Sequence, residues 1–220
     1  MCSHIPTIYF THANMLRIAT LFIVVALFLV GCANRPTGPQ HPVNLSSQLQ
    51  RAADISTWTL RGKMAFISPE SSLSATVNWN TDELDFNFRL TNVLGVTLVN
   101  LSSNDGGAVL KADGKTYEGS DPAYLIYQAS GLTVPVNQLL FWMKGLPLRE
   151  DTYTVNDKGL LKTLEGFCYQ CEQWSVSYQN YMAVENEQDQ TVWLPRNVTL
   201  TSKYDPNTTI KIKVYQWTIN

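Results

Sequence analysis

The stretch LSATVNWNTDELDFNFRL, Leu73 to Leu90, decides the fold. Leu73, Ala75, Val77 and Trp79 alternate with Ser74, Thr76, Asn78 and Asn80, and then Leu84, Phe86, Phe88 and Leu90 alternate with Asp85, Asn87 and Arg89. A two-residue period belongs to strands that bury one face and wet the other, the pattern of antiparallel sheets. The same period returns at Trp174, Val176 and Tyr178, at Val198, Leu200 and Tyr204, and at Ile210, Ile212 and Val214. Turn signals such as Asn104-Asp-Gly-Gly and Asp157-Lys-Gly join short strands. The chain therefore reads as mostly β, a curved antiparallel sheet or barrel.

Two helices interrupt the strands. Ser120-Asp-Pro122 supplies a cap and a first-turn proline, and Gly131 supplies the stop. The second helix begins near Pro135 and ends before Gly145-Leu-Pro147. Its Val136, Leu139, Leu140 and Met143 share one face, and Phe141 and Trp142 make the other sides apolar as well. A helix apolar nearly all round has to be enclosed, and capping the mouth of a curved sheet would enclose it. The inward face of the sheet is heavy in rings: Trp58, Phe66, Trp79, Phe86, Phe88, Trp174 and Tyr178. That bulk suits a wide, half-open antiparallel β-barrel whose helical lid, with Leu140 and Trp142, closes an apolar cavity able to take acyl chains. An ordinary packed core is the plainer reading of the same rings. Sequence leaves open whether the hollow is filled.

Between the strand ending at Leu90 and the next lies Thr91-Asn-Val-Leu-Gly-Val-Thr-Leu98. A hairpin tip is normally polar, with Asn-Gly or Asp-Gly at its centre. Here Val93 and Leu94 stand before the glycine. Exposing them is unfavourable by roughly 25 cal/mol per Å² of apolar area. Either the turn folds back on the core or the tip meets a lipid chain or the acyl boundary of a membrane.

The N-terminus carries an address. Arg17 is followed by a run from Ile18 to Val30 that is apolar apart from Thr20, and the run ends in Leu29-Val-Gly-Cys32. This has the plan of a secretory signal, residues 1–31, too short to span a bilayer comfortably. Residues 1–14 fit poorly ahead of it, and Met15 is the more natural start. The Leu-Val-Gly-Cys ending resembles the bacterial lipobox, in which the cysteine is lipidated. By that resemblance Cys32 carries acyl chains, each buried CH₂ adding roughly 0.8 kcal/mol of membrane affinity. Ala33 follows, where an aspartate would resemble an inner-membrane retention signal, so delivery to the outer membrane is favoured. Residues 32–48 then read as the lipidated cysteine and a Pro-, Gly- and Gln-rich flexible tether, and 49–220 as a single domain.

Composition narrows the function. Of 220 residues, 16 are Lys or Arg and 18 Asp or Glu, and this mild acidity without a basic stripe argues against nucleic acid as a partner. The only histidines are His4, His12 and His41, all in the leader or tether. The folded body thus has no imidazole for a Ser-His or Cys-His system or for zinc. No Gly-x-Ser-x-Gly elbow, P-loop or dinucleotide fingerprint occurs. Neither an enzyme nor a cofactor or metal protein is expected. Cys168-Tyr-Gln-Cys171 is the one redox-like motif. It falls at a turn between strands rather than at a helix start, which favours a structural disulfide suited to an oxidising compartment over a thiol-disulfide enzyme. So short a loop gains little from closure.

Several segments together resemble the LolB family of outer-membrane lipoproteins: the lipobox at Cys32, Leu60-Arg-Gly62, Trp79 closing its strand, and Leu90-Thr-Asn-Val-Leu-Gly95. Leu139-Leu-Phe-Trp-Met-Lys-Gly-Leu-Pro147 and Leu194-Pro-Arg196 complete the set. The resemblance implies a half-open barrel with a lid over an apolar cavity and a non-enzymatic role at the periplasmic face of the outer membrane. There a monomer anchored through Cys32 would accept cargo lipoproteins from the periplasmic carrier LolA and pass them to the inner leaflet. It matches the family's exposed loop leucine to Leu94, beside Val93, and its cavity tryptophans to Trp79, Trp142 and Trp174. The family often has proline where Val93 stands, and Cys168 and Cys171 are departures from its pattern. Three rivals remain: a lipid-scavenging lipoprotein without a carrier, a thiol-disulfide protein using Cys168 and Cys171, and a passive anchor.

Overall fold

Alternation becomes one continuous sheet. The computed structural model describes residues 38–167 and 173–219. In chain order it contains α1 (Leu45–Asp54), β1 (Thr57–Ile67), β2 (Ser72–Asp82), β3 (Asp85–Thr91), β4 (Thr97–Asn104), β5 (Gly107–Ala112) and β6 (Lys115–Gly119). Then follow α2 (Pro122–Ser130), α3 (Val136–Trp142), β7 (Thr152–Val155), β8 (Leu161–Glu165), β9 (Trp174–Glu185), β10 (Thr191–Ser202) and β11 (Thr209–Ile219). Eleven antiparallel strands run in the order β6-β5-β4-β3-β2-β1-β11-β10-β9-β8-β7, so the first and last strands pair at the centre and β6 and β7 form open edges. The mostly-β, half-open reading holds, with β6 and β7 leaving the sheet unclosed. Both edge strands are short and largely exposed, which limits edge-to-edge pairing.

The inward face is a single apolar cluster that runs from Trp58, Leu60 and Val77 through Leu164 and Val176 to Leu200, Ile212 and Val214. Against it lie the helices, α1 on β10 and α2 on β4, β5 and β6 with α3 beside it. Gly62, in the Leu60-Arg-Gly62 segment, sits at the register shift between β1 and β11. A Cβ there would come 2.2 Å from the Lys213 carbonyl oxygen, so only glycine lets the two central strands approach. All of this belongs to one unit, Thr37–Asn220.

Some local expectations change. Residues 45–48, read as tether, form the first turn of α1, capped by the Asn44 side chain, which accepts from the Ser47 amide at 2.9 Å. The Gln48 amide then imitates a strand partner, donating to the Trp193 carbonyl at 2.8 Å and accepting from its N–H at 3.1 Å. Leu84 does not continue the inward row: Asp82 pairs with Asp85, which leaves Glu83 and Leu84 as a two-residue turn with Leu84 exposed. Tyr204 likewise leaves its strand for the β10–β11 turn and is 93% exposed.

Candidate functional site

The tip between β3 and β4 points into solvent, Val93 95% and Leu94 84% exposed, with Val96 more than half exposed beside them. It is nevertheless well ordered by hydrogen bonds. The Asn92 carboxamide oxygen accepts from the amides of Leu94 at 2.9 Å and Val96 at 3.0 Å, while the Asn92 N–H donates to the Val96 carbonyl at 2.9 Å. Gly95, at φ 81°, turns the chain back where a side chain would be strained. The polar residue that a hairpin centre needs has moved to the base of the loop. Its side chain performs the turn chemistry there, and the crown is left to two aliphatic residues. The alternative of a turn folded back on the core is excluded by this exposure.

The alternating hairpins bring other loops to the same end of the sheet. Ile67 and Leu73 flank the β1–β2 turn, Phe167 follows β8, and Tyr204 crowns the β10–β11 turn, all of them exposed. The tip is therefore the most prominent of several apolar contacts facing one direction.

On the inward face the ring residues expected to line the cavity are brought together. Trp58, Phe66, Trp79, Phe86, Leu140, Trp142, Trp174 and Tyr178 are all buried, and Phe88 is half-buried against them. Trp79 meets Trp58, Phe86 and Phe88 edge-on at ring-centre distances of 5.4, 6.3 and 5.2 Å, and Trp58 meets Trp217 at 5.2 Å. These are ordinary attractive geometries for aromatic pairs. The Trp79 indole N–H is buried without an acceptor among the described residues. An unmet donor in an apolar interior costs about 1–3 kcal/mol.

Trp142 is held from both sides. Its indole donates to Asp151 Oδ2 at 2.8 Å, and its carbonyl accepts from the Tyr178 hydroxyl at 3.0 Å. Trp174 ties the segment between α2 and α3 to β9 by donating to the Thr133 carbonyl at 3.3 Å. Burial, with the neighbouring Tyr181 and Asp151 adding to it, holds the Tyr178 hydroxyl far above its ordinary pKa, and burial raises Tyr181 too. Neither ionises under ordinary conditions, so both serve as hydrogen-bond donors.

Sequence reasoning passed over Lys144. It lies just beyond α3, 6% exposed, and its ammonium donates to the Ile55 carbonyl at the end of α1 at 2.6 Å. Burial pushes its pKa down to about 8. It links the end of one helix to another without facing an acid. The signal available was a lysine inside an otherwise apolar block. Cys32, Cys168 and Cys171 lie outside the described residues. Among the described residues no cluster of His, Cys, Asp and Glu could hold a metal ion.

Comparison with known proteins gives the family. The family model described as outer membrane lipoprotein LolB matches residues 56–217. Outer-membrane lipoprotein LolB of Vibrio cholerae is 34% identical over 196 residues, which cover 88% of this chain and 92% of that protein. The protein of the same name from Psychromonas ingrahamii is 33% identical and covers 87% of this chain and 91% of its own length. A solved structure, a putative outer membrane lipoprotein-sorting protein domain from Vibrio parahaemolyticus, superposes over 80% of this chain and 91% of its own, with a TM-score of 0.47 and 7% identity. The relatives are outer-membrane lipoproteins and not enzymes. With most of its length matched by the family model, this chain belongs to the LolB family of outer-membrane lipoproteins.

Proposed function

We propose that the chain is an outer-membrane receptor that accepts lipoproteins from the periplasmic carrier LolA and inserts them into the inner leaflet without nucleotide. Cys32 carries the lipid anchor that holds a monomer at the periplasmic face of the outer membrane. The cargo's acyl chains enter between the ring-lined inward face and the helices α2 and α3. Burial of acyl CH₂ groups against Trp58, Trp79, Phe86 and Phe88 supplies the driving force, roughly 25 cal/mol per Å² of apolar surface removed from water. An ester or amide carbonyl arriving with those chains would give the Trp79 N–H the acceptor it lacks.

The observation that carries the reading is the tip. Two aliphatic side chains are held almost fully in water by a loop whose own hydrogen bonds keep them there. Exposed apolar surface of this kind marks a contact surface, and in a chain of this family a lipid is the cover that fits an acyl-handling role. The tip then dips into the acyl boundary, loosens the leaflet locally, and lets the cargo's chains leave the domain for the bilayer.

Replacing Leu94 by Glu puts a charge at that contact without touching the core. The expected result is near-normal capture of the carrier–cargo complex, with delivery of cargo to membranes reduced more than tenfold. Normal delivery by Leu94→Glu would refute the tip. Failure of the parent chain to capture cargo from the carrier would instead favour a lipid-scavenging protein.

A further inference from the structure

The face of the sheet turned away from the helices carries an arrangement that acyl-chain transfer does not use. Strand register sets Arg61, Asn78, Arg89, Asn100, Lys111 and Thr116 side by side across β1 to β6. One rung nearer the tip, Lys63 on β1 stands directly opposite Lys213 on β11. Like charges in that position repel. None of these cations meets a carboxylate, although Lys213 lies over the Tyr215 ring at 6.0 Å: among the described residues the ion pair formed is Lys203 with Glu165, at 2.6 Å. The carboxylates of the same strands lie towards the other end, where Asp82 faces Asp85 and Glu118 stands beside Val109. The outward face is thus basic in the half that adjoins the tip.

Within that half a groove of about 410 Å³ opens across β3 to β6, lined by Arg89, Thr97, Asn100, Lys111, Lys115 and Thr116, with Asp113 the one carboxylate at its rim. The Arg89 Nε donates to the Asn100 carboxamide oxygen at 3.3 Å, and that oxygen also accepts from Asn87 at 3.2 Å. The guanidinium is oriented by this contact while its terminal nitrogens have no acceptor among the described residues. Such a planar donor set, with the Lys111 ammonium two strands away across Asn100, fits the oxygens of a phosphate.

Depth decides what brings the phosphate. β3 ends two residues beyond Arg89, about 7 Å along the strand, and the tip lies past that. An apolar element resting at the headgroup–acyl boundary sinks roughly 5–10 Å. Arg89 and Lys111 then stand level with the headgroup phosphates, within the ~8 Å over which an anionic surface acts at physiological salt.

We propose that this groove and the basic row around it bind the headgroup phosphates of anionic phospholipids, so that the outward face docks the domain on the bilayer beside the inserted tip. The geometry rests on the tip reading, but the charge and the leucine act through different lipids and can be told apart.

The test uses the unlipidated chain from residue 32 with Cys32→Ser, which retains the whole Thr37–Asn220 unit with its sheet and core. Co-sedimentation is measured with phosphatidylcholine vesicles and with vesicles that also contain phosphatidylglycerol. The parent should bind the anionic vesicles more tightly, with an advantage that fades as salt is added. Arg89→Gln with Lys111→Gln, both exposed positions, should bind the anionic vesicles about 25-fold more weakly, at about fivefold per charge, and phosphatidylcholine unchanged. Leu94→Glu should lose binding to phosphatidylcholine and keep a preference for phosphatidylglycerol. A parent indifferent to phosphatidylglycerol, or a double variant that binds it normally, overturns the proposal. So does a double variant normal on vesicles but unable to capture the carrier–cargo complex, since the face would then be a protein-docking one. Leu94→Glu binding phosphatidylcholine as the parent does would sink the tip reading alone.

Discussion

At the scale of single residues, Lys144 shows how this core tolerates a charge. Its ammonium has left water for a carbonyl at the end of α1, and desolvation lowers its pKa from 10.5 to about 8. Unfolded, the side chain keeps its proton up to about pH 10.5; folded, it gives the proton up near 8. Between those values the unfolded state binds more protons, so stability rises with pH, by an amount on the order of 3 kcal/mol over the full window. Below pH 8 both states are protonated and the cost of burying the charge is fully felt. Tyr178 and Tyr181, whose hydroxyl pKa values are raised, act in the opposite sense, but only above the ordinary tyrosine range. Urea unfolding of the parent and of Lys144→Met on either side of pH 8 should show the parent gaining stability with pH relative to the variant. Parallel curves would mean that the ammonium is solvated after all.

At the scale of elements, the β3–β4 loop separates stability from function. Asn92→Ala removes the acceptor for two backbone amides in an exposed turn. Water can replace that acceptor, so unfolding free energy should fall by only about 1 kcal/mol. Delivery of cargo should suffer more than stability does, because an unbraced loop no longer holds Leu94 outward, yet less than in Leu94→Glu. Denaturation and delivery assays on the same preparation check both halves. The sequence made the apolar crown of this loop plain but could not show the side chain that braces it. Helix α2 was readable because its boundaries are local chemistry: Asp121 caps the Ala123 amide and Gly131 ends the last turn. Helix α1 was missed because its first turn, Leu45-Ser-Ser-Gln, follows a Pro-rich segment, and what docks it is the bond of Gln48 to a strand 145 residues away. Leu84 and Tyr204 continued an alternation past the point where register ended the strand; period alone does not see a turn close. The basic row was invisible for a related reason. Its cations are scattered along the chain, and only strand pairing sets them on one face.

At the scale of the molecule, stability and opening are unequally shared. At the centre of the sheet β1 pairs over long registers with β2 and β11, as β10 does with β9, and these strands bury their inward residues almost completely. Helix α2 rests on the shorter strands β4 to β6 near an open edge, and it exposes Tyr124 and Tyr127 while burying Pro122 and Leu125. An element with so few buried side chains opens at a lower free energy than the sheet beneath it. If acyl chains enter under the helices, α2 is the element that moves, and a chain lodged there adds apolar contact that the empty protein lacks. Amide hydrogen exchange should therefore be fast in α2 and slow in β1, β10 and β11. A triacylated lipopeptide should slow α2 and α3 about tenfold while leaving the central strands unchanged. Slowing confined to the β3–β4 loop would place the lipid at the tip alone and leave the interior a packed core.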